Sequence, residues 1–165
     1  MVHIRRAQSG DEETLARIQT ESWKAAFAGI VPAELLAQCT NVERAEKMYA
    51  RLLAERRGNG YILELDGKAH CIAWWDAAKD DDMPGAAELR CIHSLPDNWR
   101  RGYGSRMMER VLADVKAAGY ETIVLWVFAR NERAIRFYEA HGFTASGKKQ
   151  DALGTVEEMY VKERK

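Results

Sequence analysis

Two arginines and two glycines stand together at the head of a helical segment, within residues 96–106. Gly102 and Gly104 allow the backbone to approach a ligand closely, at a point where helix N–H groups converge and the helix dipole is positive. Arg100 and Arg101 add cationic side chains beside them. These residue types at this spacing predict a site that holds a phosphate or a pyrophosphate.

Two common nucleotide-binding patterns are missing from the same loop. No lysine followed by serine or threonine comes after the glycines, so the group that a P-loop uses for its phosphates is absent. Met107 takes the place of the third glycine of the dinucleotide-binding pattern, and no acidic ribose ligand follows at the end of a next parallel strand. The loop therefore argues against a nucleotide-dependent kinase or a dehydrogenase.

A second segment, residues 131–143, places a polar residue and a phenol on one face of a helix. Asn131 and Tyr138 are seven positions apart, which brings them to the same side. Ala134 and Phe137 lie on the neighbouring face and are expected in the core. A phenol can donate a proton, so Tyr138 is a candidate general acid. A packing role for Tyr138 is the alternative.

The two segments together resemble the GCN5-related N-acetyltransferase (GNAT) superfamily. The resemblance rests on Arg-Arg-Gly-Tyr-Gly in the first segment and on Asn-x-x-Ala-x-x-Phe-Tyr-x-x-x-Gly-Phe in the second, and it covers residues 88–143. It implies an enzyme that moves acetyl from the thioester of acetyl-coenzyme A to a primary amine through a tetrahedral intermediate. Trp99 departs from the pattern, because the family usually has Gln or Arg three positions before Gly102.

The resemblance also implies which residues bind the coenzyme. The loop would hold the pyrophosphate, and the end of the preceding strand would hydrogen-bond the pantetheine arm. That strand is expected to splay from its neighbour at 120–128 and to open a V for the thioester, with Tyr138 beside the sulfur. The coenzyme-binding residues implied in this way are Ile92, His93, Ser94, Arg100, Arg101, Gly102, Tyr103, Gly104, Ser105 and Asn131.

The predicted catalytic pair is Tyr138 as acid and Glu88 as base, but the base has three candidates. Glu88 matches the glutamate that serves as base in the histone-acetylating branch of the family, and a solvent-facing role is its alternative. His93 titrates near neutrality and is the second candidate. A chain of water molecules is the third. A backbone N–H near His93 is expected to stabilise the oxyanion.

The acceptor site is expected beside the first helix and its exit, where Trp23 and Phe27 stand four residues apart. The resemblance implies that they line the acceptor cleft, and packing on the sheet is the alternative. We expect a small-molecule amine as acceptor. A protein or peptide amine, or a non-catalytic acyl-coenzyme A-binding module, is the alternative. The cysteines show no metal-ligand spacing, so no metal is expected.

Composition favours a single soluble domain that spans residues 1–165. Lys plus Arg number 25 and Asp plus Glu number 25, so the formal net charge is zero. This balance argues against nucleic acid or a membrane surface as partner, since both require a cationic excess. The apolar run 123–129 is too short to span a bilayer. Met1 leads into a strand-like segment with no leader pattern, so we expect a cytoplasmic protein with reduced cysteines.

Periodicity predicts the elements that must position these residues. Alternating and helical segments indicate an α/β (α+β) domain with a mixed seven-stranded sheet, about four flanking helices and a splayed central strand pair. Residues 9–12 have the spacing of a capping box that begins at Ser9. The terminal strand pair is compatible with a homodimer.

Two further expectations concern the middle of the chain. Trp74 and Trp75 point to opposite faces of one strand, so one is expected in the core and the other at the acceptor site. Asp80, Asp81 and Asp82 form an acidic loop that indicates solubility rather than a cation site.

Overall fold

Seven strands form one mixed sheet in the computed structural model, which describes residues 1–79 and 83–163. The strands are β1 (Val2–Arg6), β2 (Asn59–Leu65), β3 (Lys68–Ala77), β4 (Ala87–Ser94), β5 (Thr122–Phe128), β6 (Thr144–Ala152) and β7 (Thr155–Glu163). Their order is β1-β2-β3-β4-β5-β7-β6, and every neighbouring pair is antiparallel except β4 and β5. The predicted fold class is confirmed. The acidic loop Asp80, Asp81 and Asp82 lies outside the described residues.

Helices cover both faces of this sheet. They are α1 (Glu12–Ala26), α2 (Ala33–Cys39), α3 (Val42–Ala54), α4 (Tyr103–Ala117) and α5 (Glu132–Ala140). The described residues thus contain five α-helices where the sequence indicated about four. The apolar stripe of α4 packs on one face of the sheet, and α1 and α3 pack on the other.

The paired tryptophans of β3 are both buried. Trp74 and Trp75 are each only 5% exposed, and they belong to the clusters on opposite faces of the sheet. Since helices cover both faces, both alternating positions are interior. Trp74 lies against the bare backbone of Gly58 and Gly60, where an added Cβ would come within 2.3 Å of its ring. The expectation that one of the two walls the acceptor site is therefore wrong.

The start of α1 also differs from the sequence prediction. Its N-cap is Asp11 rather than Ser9, and the Asp11 side chain makes no capping bond. The Asp11 carboxylate instead accepts two hydrogen bonds from the Arg5 guanidinium, at 2.8 and 2.9 Å, and one from the Gln8 N–H. These bonds tie the helix start to β1, and the Arg5 bond holds the pKa of Asp11 below its usual range.

The central strand pair splays as predicted. β4 and β5 are paired only at Ala87 with Ile123 and at Glu88 with Val124, and beyond these positions they diverge. On its other side β4 carries a bulge, because Arg90 is an extra residue between two consecutive pairs with β3. A bulge bends its strand and increases its local twist. The result is a V-shaped opening toward the carboxyl ends of β4 and β5.

Candidate active site

Two cavities lie in the V between β4 and β5. The larger has a volume of about 510 Å³ and extends along β4 and β5 toward β6 and β7. The smaller has a volume of about 280 Å³ and extends toward the start of α4. The residues that line both are Ala26, Ile92, His93, Arg133, Ala134 and Tyr138. The two cavities therefore meet at the open end of the V.

The glycine-containing loop lines the smaller cavity. Among the residues predicted for the coenzyme, those that line it are Ile92, His93, Ser94, Arg100, Gly102, Tyr103, Gly104 and Ser105. Gly102 is the N-cap of α4 and has a φ of +82°, a conformation that favours glycine. At Gly104 an added Cβ would lie 3.3 Å from the Phe137 ring, so the missing side chain lets α5 approach. Arg101 is exposed and lines neither cavity.

The end of β4 presents backbone groups to the V. The Leu95 N–H donates to the His70 carbonyl on β3 at 3.1 Å. Because backbone direction alternates along an antiparallel strand, the polar groups of Ile92 and Ser94 point the other way, toward the V. The Ser94 carbonyl already accepts hydrogen bonds from Ser22 Oγ at 3.1 Å and from Trp99 Nε1 at 3.0 Å. The open side of β4 therefore presents three further backbone groups to a ligand, which are the N–H and the carbonyl of Ile92 and the N–H of Ser94.

Tyr138 stands at the junction of the two cavities. Its ring is half-buried and packs 5.6 Å from Phe137 and 6.0 Å from Phe143, measured between ring centroids. Burial raises the pKa of the Tyr138 hydroxyl above its ordinary value of about 10. The phenol therefore keeps its proton at neutral pH and is able to donate it.

Glu88 is the last residue of β4 that pairs with β5, so it lies at the apex of the V. Its side chain lines the larger cavity, and the residue is only 8% exposed. The Arg90 guanidinium lies 3.9 Å from Glu88 Oε1. The solvent-facing alternative considered for this carboxylate does not hold.

His93 is held by an indole. Trp23 Nε1 donates to His93 Nε2 at 2.8 Å. Burial lowers the pKa of His93 to about 4, so the ring is neutral at neutral pH. Because the Nε2 lone pair is engaged and the cation is disfavoured, this geometry argues against His93 as the general base.

The remaining predicted residues lie along the larger cavity. Asn131 is buried, and its Oδ1 caps α5 by accepting from the Ala134 N–H at 3.3 Å. Asn131 lines the larger cavity and not the smaller one, where most of the residues predicted to bind the coenzyme lie. Trp23 and Phe27 both line the larger cavity, and Phe27 also packs 4.9 Å from Phe128 across the V. Trp23 and Phe27 therefore line the cavity and also pack against neighbouring aromatic rings.

A sequence model of the acetyltransferase (GNAT) family matches residues 31–143. The chain belongs to this family. It is accordingly an N-acetyltransferase, and the family resemblance predicted from its two motifs is confirmed.

Relatives of this GNAT protein are named as N-acetyltransferases. The uncharacterized N-acetyltransferase YuaI of Bacillus subtilis is 23% identical over 141 residues, which are 86% of this chain and 79% of that protein. An uncharacterized N-acetyltransferase of Archaeoglobus fulgidus is 28% identical over 142 residues, which are 83% of this chain and 89% of that protein.

Solved structures show the same fold. The PaiA N-acetyltransferase from Thermoplasma acidophilum, in complex with coenzyme A, has a TM-score of 0.84 at 18% identity and covers 99% of both chains. The ribosomal-protein-S18-alanine N-acetyltransferase from Escherichia coli has a TM-score of 0.71 at 22% identity, over 99% of this chain and 94% of that one. At these identities the likeness concerns the fold alone.

Several features of this GNAT site were missed from the sequence. The Arg133 guanidinium lies 3.6 Å above the Trp99 ring and so joins the loop before α4 to α5. Stacking of this kind leaves the in-plane N–H groups of the guanidinium available. Trp99, which departs from the family pattern, thus packs against Arg133. The only sequence signal was that departure itself, since no spacing rule links residues so far apart.

The turn between β6 and β7 was also missed. Leu153 of this turn lines the larger cavity. At Gly154 an added Cβ would lie 3.2 Å from both Leu35 and Pro32, so the turn is in close contact with the start of α2. The turn therefore connects the wall of the larger cavity to α2.

The described part of the chain shows neither a metal centre nor a membrane-spanning helix. No group of His, Cys, Asp or Glu side chains within residues 1–79 and 83–163 is arranged to hold a metal ion. No helix in the same ranges is long and apolar enough to cross a membrane. Cys39, Cys71 and Cys91 are all free thiols.

Proposed function

We propose that this enzyme transfers the acetyl group of acetyl-coenzyme A to the amine of a small molecule. The observation that carries the proposal is the meeting of two cavities at Tyr138, inside the V opened by β4 and β5. A transferase needs both substrates at one point, and these cavities share one. The coenzyme would occupy the smaller cavity and the acceptor the larger.

Three features support the coenzyme in the smaller cavity. The start of α4 supplies N–H groups and a positive dipole end for the pyrophosphate. Arg100 lines the cavity beside Gly102 and Gly104. The backbone of Ile92 and Ser94 offers the edge along which a pantetheine arm can hydrogen-bond like an added strand. The similar fold from Thermoplasma acidophilum was solved with coenzyme A.

The proposed chemistry is a direct attack that forms a C–N bond and then breaks the C–S bond. Glu88, at the apex of the V, takes the proton that the attacking amine loses, directly or through water. Tyr138 gives its proton to the departing thiolate. Burial in the V disfavours a charged sulfur, as it does any anion that is removed from water. A coenzyme thiolate formed there would therefore be a stronger base than in water, which favours transfer of the phenol proton.

The shape of the larger cavity supports a small acceptor. Its volume of about 510 Å³ lies within the range of small-molecule sites. Leu153, in the turn that packs against α2 at Gly154, contributes to the wall of this cavity. Besides His93 and Tyr138, four aromatic side chains line the cavity and favour an acceptor with an apolar body: Trp23, Phe27, Trp126 and Phe128.

Free thiols fit the cytoplasmic location expected from the sequence, and this location is part of the proposal. The homodimer considered from the terminal strand pair stays a prediction.

Thiol release from acetyl-coenzyme A tests the proposed function. A panel should combine small primary amines of different size and charge with peptides that carry a free N-terminal amine or a lysine. We expect acetylation of small amines with kcat/KM at least tenfold above that for any peptide. Preference for a peptide would overturn the small acceptor. Absence of acetyl transfer to every amine, with intact coenzyme binding, would overturn the reaction.

A further inference from the structure

A hydrogen bond between an indole and an imidazole lies where the two cavities meet. Trp23 Nε1 is 2.8 Å from His93 Nε2, and the two rings are edge to face with centroids 6.1 Å apart. An indole N–H only donates, because it has no lone pair to offer. His93 Nε2 must therefore be the acceptor, and it carries no proton while this bond exists.

The proton of the neutral His93 ring is consequently on Nδ1. His93 lines both cavities. Among the described residues, the His93 ring has one hydrogen bond, which Trp23 donates to Nε2. The Nδ1–H group therefore has no acceptor in the described part of the chain. A half-buried N–H without a protein acceptor, at the point where two substrates meet, is suited to a ligand oxygen.

We propose that Trp23 is a positioning residue that holds His93 as the Nδ1–H tautomer, so that His93 donates a hydrogen bond to the carbonyl oxygen of the bound thioester. The inference rests on the proposed function. As the amine nitrogen bonds to the carbonyl carbon, the oxygen gains negative charge, and Nδ1–H stabilises that charge. The proton stays on His93, and the amine proton and the thiolate are handled by Glu88 and Tyr138.

The other titratable groups around His93 leave this tautomer in place. Tyr138 and Arg133 of α5 line both cavities. The other ionisable residues that line the larger cavity are Lys79, Glu88, Arg90, Cys91 and Glu157, and those that line the smaller one are Arg100 and Tyr103. Burial raises the pKa of Tyr138 and of Cys91, so both are neutral at neutral pH. The residues that α1 contributes to the two cavities carry no ionisable group. Burial lowers the pKa of His93 and keeps the ring neutral.

Nitrogen-15 NMR of the free enzyme near neutral pH tests the tautomer without any assay of activity. We expect a protonated Nδ1 and an unprotonated Nε2 in the wild type. Trp23→Phe keeps an aromatic ring and removes the donor, so Nε2–H should appear and the pKa of His93 should rise. Phe27→Leu is the matched control, because it alters the same aromatic wall and leaves the indole N–H in place. A protonated Nε2 in the wild type would overturn the inference.

Kinetics of two His93 variants test the donor role. The amide nitrogen of His93→Asn lies near the position of Nδ1 and donates, whereas His93→Leu donates nothing. We expect kcat of His93→Asn within about tenfold of the wild type and kcat of His93→Leu lower by roughly 10²-fold or more. Equal losses in the two variants would overturn the donor role. If His93→Asn does not fold, Trp23→Phe provides the test. It must lower kcat severalfold without changing the KM for acetyl-coenzyme A, and an unchanged kcat overturns the inference. The NMR result stands even if the proposed acetyl transfer fails, so the two failures are distinguishable.

Discussion

Replacing Tyr138 by phenylalanine removes the hydroxyl and keeps the ring that packs against Phe137 and Phe143. If the phenol protonates the departing thiolate, kcat should fall roughly 10²-fold, as expected for the loss of a general acid. The KM for acetyl-coenzyme A and the melting temperature should change little, because ground-state contacts survive. Steady-state kinetics with a good acceptor measure both constants.

Tyr120→Phe is the matched control for this variant. Tyr120 packs 5.8 Å from Trp75 and lines neither of the two cavities, so loss of its hydroxyl should leave kcat as it is. Wild-type kcat in Tyr138→Phe would remove Tyr138 from the catalytic residues. Weaker coenzyme binding at constant kcat would show that the hydroxyl anchors the coenzyme instead.

Gly104 offers a test of the loop that is proposed to bind the pyrophosphate. Gly104→Asp adds a side chain 3.3 Å from the Phe137 ring and a negative charge at the start of α4. We expect affinity for acetyl-coenzyme A to fall at least tenfold, about 1.4 kcal/mol. Calorimetry measures the affinity, and Gly104→Ala, which adds bulk without charge, separates the two causes. Wild-type affinity in a folded Gly104→Asp protein would contradict the loop assignment.

Local residue patterns predicted the parts of the site that lie close together in sequence. The spacing of Asn131 and Tyr138 along one helix, and of Gly102 and Gly104 at the start of another, was readable because both follow from helix geometry. The bond from Trp23 to His93 was not readable, since it joins α1 to β4 and depends on how both pack. The low pKa of His93 was missed for the same reason, because burial causes it.

At the scale of elements, the contact of β2 with Trp74 makes a stability prediction. An added Cβ at Gly60 would lie 2.3 Å from the Trp74 ring. Overpacking of this kind costs about 1–3 kcal/mol, so Gly60→Ala should lower the free energy of unfolding by that amount. Denaturant titration measures it.

A double-mutant cycle identifies the cause of that loss. Trp74→Leu removes the ring, so Gly60→Ala should cost clearly less in that background than in the wild type. Equal costs in the two backgrounds would show that the glycine is required for a reason other than its contact with the indole.

The elements themselves were largely predictable because their boundaries carry local chemistry. β1 lies at Val2–Arg6, in the strand-like segment that follows Met1, and the hairpin turn at Asp66 and Gly67 uses two positive φ angles, as an Asp-Gly pair favours. Asn41 and Asn131 cap α3 and α5 through their side-chain oxygens. The start of α1 was placed wrongly because Arg5, a residue of another element, binds Asp11. Tertiary contacts decided where local patterns competed.

At the scale of the whole molecule, the buried titratable groups predict the pH dependence of the enzyme. The pKa of His93 is lowered to about 4, so His93 is already neutral at any pH well above that value. The pKa of Tyr138 is raised above about 10, so Tyr138 keeps its proton below that value. Neither group changes charge between about pH 6 and pH 9. The rate should therefore rise with pH as the acceptor amine loses its proton. The pH–rate profile should show no inflection from titration of His93.

Rate profiles of the wild type and of His93→Asn measure this dependence. Profiles of the same shape are expected. A limb near pH 6.5 that disappears in His93→Asn would contradict a neutral His93 and would restore it as a candidate base.

Amide hydrogen exchange on addition of acetyl-coenzyme A tests most directly whether the coenzyme lies in the V. The N–H groups of Ile92 and Ser94 face the open side, whereas Leu95 already donates to His70. We expect the coenzyme to slow exchange at Ile92 or Ser94 and in the loop around Gly104, with no change at Leu95. Coenzyme binding that leaves exchange unaltered at Ile92, Ser94 and Gly104 would contradict this placement, and with it the proposed meeting of the two substrates at Tyr138.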